Sequence, residues 1–282
     1  MRLIAAQFAD ELVKLFARRR TYIGFGAFVA LQAMILALLQ HPRARRSVAQ
    51  ILEQNGLGFD DHYMGLTLGI VVIAFSFSFL GGLYVALVAG DIVAKEVEDG
   101  TMRMILSRPV GRVRMLLIKF AACVLYTLTL VWFLGVTALV FASLYRGGPG
   151  KLFIFFPDEE LFAFYDTAEG LWRYVRSIGC LSFATLTIAA MGFMFSCFKM
   201  KPAAATILTL SVLFVDVVLM NLPYFAELRH WFMSYHIGFW VRTYHAYPPW
   251  AEITQSVAWL VGLMSTFVIV GVTHFAGRDL KA

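Results

Sequence analysis

A chain of 282 residues that is 60% hydrophobic and only 15% charged, with a mean hydropathy of +0.73, has too little polar surface to close around a water-soluble core. The composition excludes a soluble globular enzyme and points to a polytopic membrane protein. The net charge of +6 does not argue for nucleic acid, because in a membrane chain the placement of the cations carries the information.

The first twenty residues, MRLIAAQFADELVKLFARRR, place Leu3, Ile4, Phe8, Leu12, Leu15 and Phe16 at helical spacing, with Asp10, Glu11 and Lys14 opposite. That pattern predicts an amphipathic helix over 1–20 lying in the membrane interface. It lacks the short basic start and small-residue cleavage site of a secretory signal. Arg18, Arg19 and Arg20 then hold this end on the cytoplasmic side.

A spanning helix needs about 20 mainly apolar residues, and six stretches meet that standard: 21–39, 65–89, 115–145, 178–198, 202–225 and 253–275. The expected fold is therefore all-α and polytopic, with both termini cytoplasmic in the cell inner membrane. No polar block between the spans is long enough to fold alone, so 1–282 reads as one transmembrane domain. In this orientation fourteen Lys and Arg face inward and nine outward; with Lys119 inside a span they make up the 24. The asymmetry supports the orientation, although HPRARR after the first span pulls the other way.

Two long outer loops are expected, at 146–177 and 222–252. The aromatic and acidic stretch LFIFFPDEELFAFYDTAEGLWRYVR, 152–176, reads as an interfacial helix. The second loop contains HWFMSYHIGFWVRTYHAYPPW and is too apolar to lie free in water. It suits a headgroup-level aromatic belt or a short re-entrant pair of helices.

Sites for chemistry are sparse. The nearest approach to a phosphate-binding loop, YRGGPGKLF, has Leu152 where Ser or Thr must follow Gly150-Lys151, and reads as an outer turn. No zinc-protease helix is present. His230, His236 and His245 lie among aromatics on the outer side, as metal candidates or as ordinary interfacial histidines. Cys123, Cys180 and Cys197 fall inside apolar runs and read as buried free thiols. Asp216, near the centre of the fifth predicted span, is costly in a membrane. It is either a substrate- or proton-contacting residue or an acid hydrogen-bonded at a helix interface, with Asn221 close by. Lys119 is expected to snorkel toward the cytoplasmic surface.

The segment 91–114, DIVAKEVEDGTMRMILSRPVGRVR, joins the second and third spans. Gly100-Thr101 supplies a turn and an N-cap, and Pro109 closes the helix at Arg108. About two turns remain, some 12 Å long and too short to span. Met102, Ile105 and Leu106 form an apolar knob; Glu96, Glu98 and Asp99 precede it, and Arg108, Arg112 and Arg114 follow. Such a segment suits docking into a groove on a cytoplasmic partner, or equally a solvated loop against lipid headgroups.

The run Glu-x-Glu-Asp-Gly-Thr, a short apolar helix, Ser-Arg-Pro-x-x-Arg and a Lys in the next span resembles the loop between spans two and three of type-2 ABC exporter permeases. The matching residues are Glu96, Glu98, Gly100, Thr101, Leu106, Pro109, Arg112 and Lys119. The layout is similar over nearly the whole chain, and within the class it is loosely like the short branch that includes the nitrous-oxide-reductase maturation permease. The resemblance implies a permease subunit with no ATPase of its own and no bound cofactor. A separate nucleotide-binding subunit would use ATP and magnesium, docked through a coupling helix at 101–107 and also touched by the N-terminal helix. It also implies a dimer with a second copy or a related permease. Two other readings stay open from the residues: a membrane-embedded enzyme acting on lipid, and a non-transporting scaffold subunit.

Overall fold

In a computed structural model the chain is described over residues 2–42, 46, 50, 63–102, 111–156 and 161–277. Helix α1 (Arg2–Phe16) is followed by the spans α2 (Arg19–Leu39), α3 (Gly65–Glu98) and α4 (Arg112–Arg146). A two-stranded hairpin, β1 (Leu152–Phe156) and β2 (Leu161–Tyr165), precedes α5 (Thr167–Ser196) and α6 (Pro202–Asn221). A 3-10 segment (Pro223–Trp231) and two short helices, α7 (Met233–Ile237) and α8 (Phe239–Arg242), lead into α9 (Trp250–Ala276). Six of these helices are long and apolar enough to cross a membrane, where helices satisfy their own backbone polar groups.

Local chemistry sets the boundaries. Arg18, extended at ψ 131°, breaks α1 from α2, and the Thr21 hydroxyl donates to the Leu15 carbonyl at 2.7 Å to fix the elbow. Pro202 opens α6 at its first helical position, where its missing N–H is not needed. Pro223 stops α6 at Asn221, four residues short of the sequence expectation, because the residue before proline avoids helical backbone; Leu222 is extended, at ψ 133°. Helix α3 runs past the expected 89 to Glu98, and one π-helical turn at Phe77–Gly81 interrupts its hydrogen-bond ladder.

Helix α5 is the most buried span and α6 the least. Helices α3 and α5 pack closely. A Cβ added to Gly192 would sit 2.8 Å from the Ala89 Cβ, so only glycine allows this contact. The Ser196 hydroxyl accepts from the Val93 and Ala94 amides at 2.9 Å each, tying the same two helices at the α1 end.

The interfacial helix expected over 152–176 is not formed. LFIFF and LFAFY pair antiparallel, Phe153 opposite Phe164 and Ile154 opposite Ala163, and α5 starts only at Thr167. Runs of aromatic and branched residues favour a half-buried strand, and Phe153 packs edge-on against Phe162 at 5.4 Å. The Tyr165 hydroxyl ties the hairpin to the turn after α8, donating to the Tyr244 carbonyl at 2.5 Å. The second long loop, 222–252, forms a 3-10 segment and two short helices.

Candidate functional site: the coupling end and its ion cluster

At the end of the bundle that carries α1, helix α3 terminates in a left-handed residue, Gly100 at φ +73°, the conformation that glycine adopts without a steric penalty. The Gly100 amide donates to the Val97 carbonyl at 3.3 Å. The Thr101 hydroxyl, expected to cap a following helix, donates back to the Glu96 carbonyl at 3.2 Å. Glu98, Asp99 and Gly100 are exposed at this tip, whereas Glu96 and Met102 are buried. Of the other residues singled out there, Ile105, Leu106, Arg108 and Pro109 lie outside the described residues. Arg112 opens α4, and its guanidinium donates to the Ala276 carbonyl at 3.1 Å, joining α4 to the end of α9.

Glu96 does not stand beside Glu98 and Asp99 as one acidic patch. It turns inward and meets Lys119 of α4 at 2.8 Å and Lys14 of α1 at 3.4 Å. Glu11 of α1 meets the same two lysines, each at 2.7 Å. Lys119 does not snorkel: its side chain is 0% exposed, because two carboxylates reach it inside the protein. Burial pushes the Glu11 carboxyl up, and the ammoniums of Lys119 and Lys14 outweigh that and hold it below the ordinary value. Burial likewise opposes the charge on Lys14, and Glu11 and Glu96 outweigh it, raising its pKa. One turn from this cluster Arg20 pairs with the buried Asp91, and the Tyr84 hydroxyl donates to the Arg20 carbonyl at 2.9 Å. Arg114 adds a bond to Gln7 of α1 at 3.0 Å.

Glu11, Lys14, Asp91 and Arg20 were absent from the sequence-derived site. The signal for them was present but ambiguous: Glu11 and Lys14 fall on the polar side of α1, a side that a surface helix would turn to water. Asp91 interrupts an apolar run.

A groove of about 730 Å³ opens between α2, α3 and α6. Phe28, Leu83 and Ile207 form its apolar wall, and Lys95, Glu98 and Lys201 lie at its α1 end. Asp216 is not part of it. It sits five residues before the end of α6 rather than near the middle, since α6 stops at Asn221. Its two carboxylate oxygens accept from the Met233 and Ser234 amides at 3.0 and 2.7 Å, at the start of α7, where unpaired backbone donors favour an anion. Asn221 does not join it; its amide bonds the Val217 carbonyl within α6.

His230, His236 and His245 do not converge on a metal site. His236 is buried and stacked on Trp259 with centroids 5.1 Å apart. Its Nε2 lies 2.9 Å from the His230 carbonyl and its Nδ1 3.1 Å from the Ser256 hydroxyl. Since a carbonyl only accepts, Nε2 carries the proton and Nδ1 accepts from Ser256. Among the described residues no group of three or more His, Cys, Asp and Glu could hold a metal ion. The three cysteines are unpaired, with Cys123 and Cys197 buried.

Six antiparallel apolar helices, an amphipathic helix pinned beneath them and a charged turn beyond the second span define a multi-pass membrane protein of the permease type. The chain matches the family described as ABC-2 family transporter protein over residues 11–279, and it belongs to that family. It is accordingly the membrane-embedded permease component of an ABC transporter, a class that partners with an ABC ATPase. No curated protein matches the chain.

Proposed function

We propose that this chain couples ATP hydrolysis by a separate nucleotide-binding subunit to export of a substrate across the cell inner membrane. The observation that carries the reading is the tip of α3. The helix continues past its apolar run, ends in a glycine turn, and leaves Glu98 and Asp99 exposed directly before the segment that resembles a coupling helix. Both termini and this tip face the cytoplasm, where the partner binds ATP and magnesium and this chain binds no cofactor. The contact surface narrows to Glu98, Asp99 and Gly100 with the residues that follow them, because Glu96 and Met102 face the protein interior. A second copy, or a related permease, completes the complex along the sparsely buried α6, and lipid covers the remaining apolar faces. The groove between α2, α3 and α6 suits the substrate route better than Asp216, whose oxygens are already taken by two amides.

Co-purification from the native host tests the reading. Wild-type chain is expected to bring down an ATPase carrying a phosphate-binding loop, and Glu98→Lys with Asp99→Lys is expected to lose it. Undiminished association of the double variant would overturn the assignment of the docking surface. ATP-dependent flux in proteoliposomes separates transport from a scaffold role, since a scaffold complex hydrolyses ATP with no flux.

A further inference from the structure

We propose that Lys119 is a positioning residue that clamps the interfacial helix α1 to the tip of α3, so that the two meet the ATPase as one rigid unit. The inference deepens the coupling reading above and rests on it. One ammonium joins three elements distant in sequence: Lys119 on α4 lies 2.7 Å from Glu11 Oε2 on α1 and 2.8 Å from Glu96 Oε1 on α3. Lys14 closes the square by contacting both acids. Two acids and two bases balance, so the cluster needs no external counterion.

Much of the rest of the attachment of α1 is apolar. Leu15 is buried against the bundle, and Phe16 packs on the Tyr126 ring at 5.2 Å. Apolar contacts hold a helix against a surface but tolerate sliding and rotation, whereas charge pairs of opposite sign fix its register. Arg114 to Gln7 and the Thr21 hydroxyl to the Leu15 carbonyl add polar ties at its two ends. The clamp also reaches directly into the coupling segment. The Glu96 side chain is gripped by Lys119 while its own carbonyl accepts from Thr101, the first residue beyond the glycine turn. Glu96 uses one oxygen for both lysines, and its other oxygen is buried with no hydrogen-bond partner among the described residues. It is therefore the weaker arm of the clamp, and the arm on the ATPase-facing side.

The test uses the purified full chain in liposomes, with nitroxide labels at the exposed positions of Val13 on α1 and Asp99 at the α3 tip. A control pair at Val140 on α4 and Leu171 on α5 reports the integrity of the fold. Lys119→Met alone strands two acids against one lysine and risks misfolding. The double variant Glu96→Gln with Lys119→Met keeps the Glu11–Lys14 pair and the charge balance, and it carries the test. It should leave the control distance unchanged and broaden the Val13–Asp99 distance distribution at least about twofold, as expected when a local restraint opens without global unfolding. A distribution as narrow as that of the wild type would show that apolar packing alone positions α1, and would overturn the proposal. Because no ATPase enters this measurement, failure of wild-type chain to co-purify with one would sink the coupling reading and leave the distance result standing.

Discussion

Asp216 illustrates what a carboxylate near the end of a spanning helix does in this fold. It supplies acceptors for the first amides of α7, which otherwise end buried or unpaired. Asp216→Ala is expected to expose those donors at a cost of about 1–3 kcal/mol, read as faster amide exchange over 233–237. Asp216→Asn keeps one acceptor and should retain most transport; a flux loss beyond about tenfold with unchanged exchange would return Asp216 to the substrate path. His236 lies on the same short helix. Burial pushes its pKa below the usual histidine value, against the opposing effect of its bond to the His230 carbonyl. A base whose pKa is lower folded than unfolded loses stability as pH falls from the unfolded value, near 6.5, through the folded one. Acidification from neutral to about pH 5 should therefore loosen 233–237, with exchange at the β1–β2 hairpin as the unresponsive reference.

At the scale of elements, the α1 clamp carries a pH signature of opposite chemical origin. Glu11 has a lowered pKa in the folded chain, so its contribution is present above the ordinary glutamate value of 4.5 and lost as pH falls through its folded pKa. The docking of α1 should weaken only in that acid range, measured as protease access to the Ala17–Arg18 elbow. The α3–α5 contact depends on Gly192, and Gly192→Val is expected to cost about 1–3 kcal/mol by overpacking, visible as a lower melting temperature in detergent. Much of this level was legible beforehand. Apolar runs of spanning length mark membrane helices directly, and the proline before Tyr224 explains why α6 ends four residues before the expected 225. The hairpin was not legible, because LFIFF and LFAFY satisfy an interfacial helix and a strand about equally well until a partner strand is known. Nor was the ion cluster: Glu11 and Lys119 stand 108 positions apart, and no local pattern announces a pairing at that distance.

For the whole molecule, the charges at the two ends have different fates. At the hairpin end Arg146 donates to the Tyr63 carbonyl at 2.7 Å. Arg173 binds Glu169 and the His245 carbonyl while lying 4.0 Å over the Tyr165 ring. Arg176 bonds the Thr243 carbonyl, and Arg242 stacks over Tyr235 at 4.2 Å. These cations knit the loops at the hairpin end together. Cysteine scanning should find Asp99→Cys labelled only from the cytoplasmic face and Tyr247→Cys only from the opposite one, in a background with Cys180 replaced. Reversed labelling would invert the orientation and with it the side on which the ATPase binds.

The single turn of π-helix in α3 has a mechanical meaning. The 17 residues of α3 beyond Gly81 make a rod about 25 Å long at the rise of an α-helix. A pivot of about 10° at Phe77–Gly81 would swing its far end by about 4 Å, roughly the step between adjacent side chains on a neighbouring helix. With Lys119 gripping Glu96 near that end, the rod cannot swing alone. It must drag α1 and the foot of α4 along, which turns a local bend into a concerted displacement of the whole α1 end of the bundle.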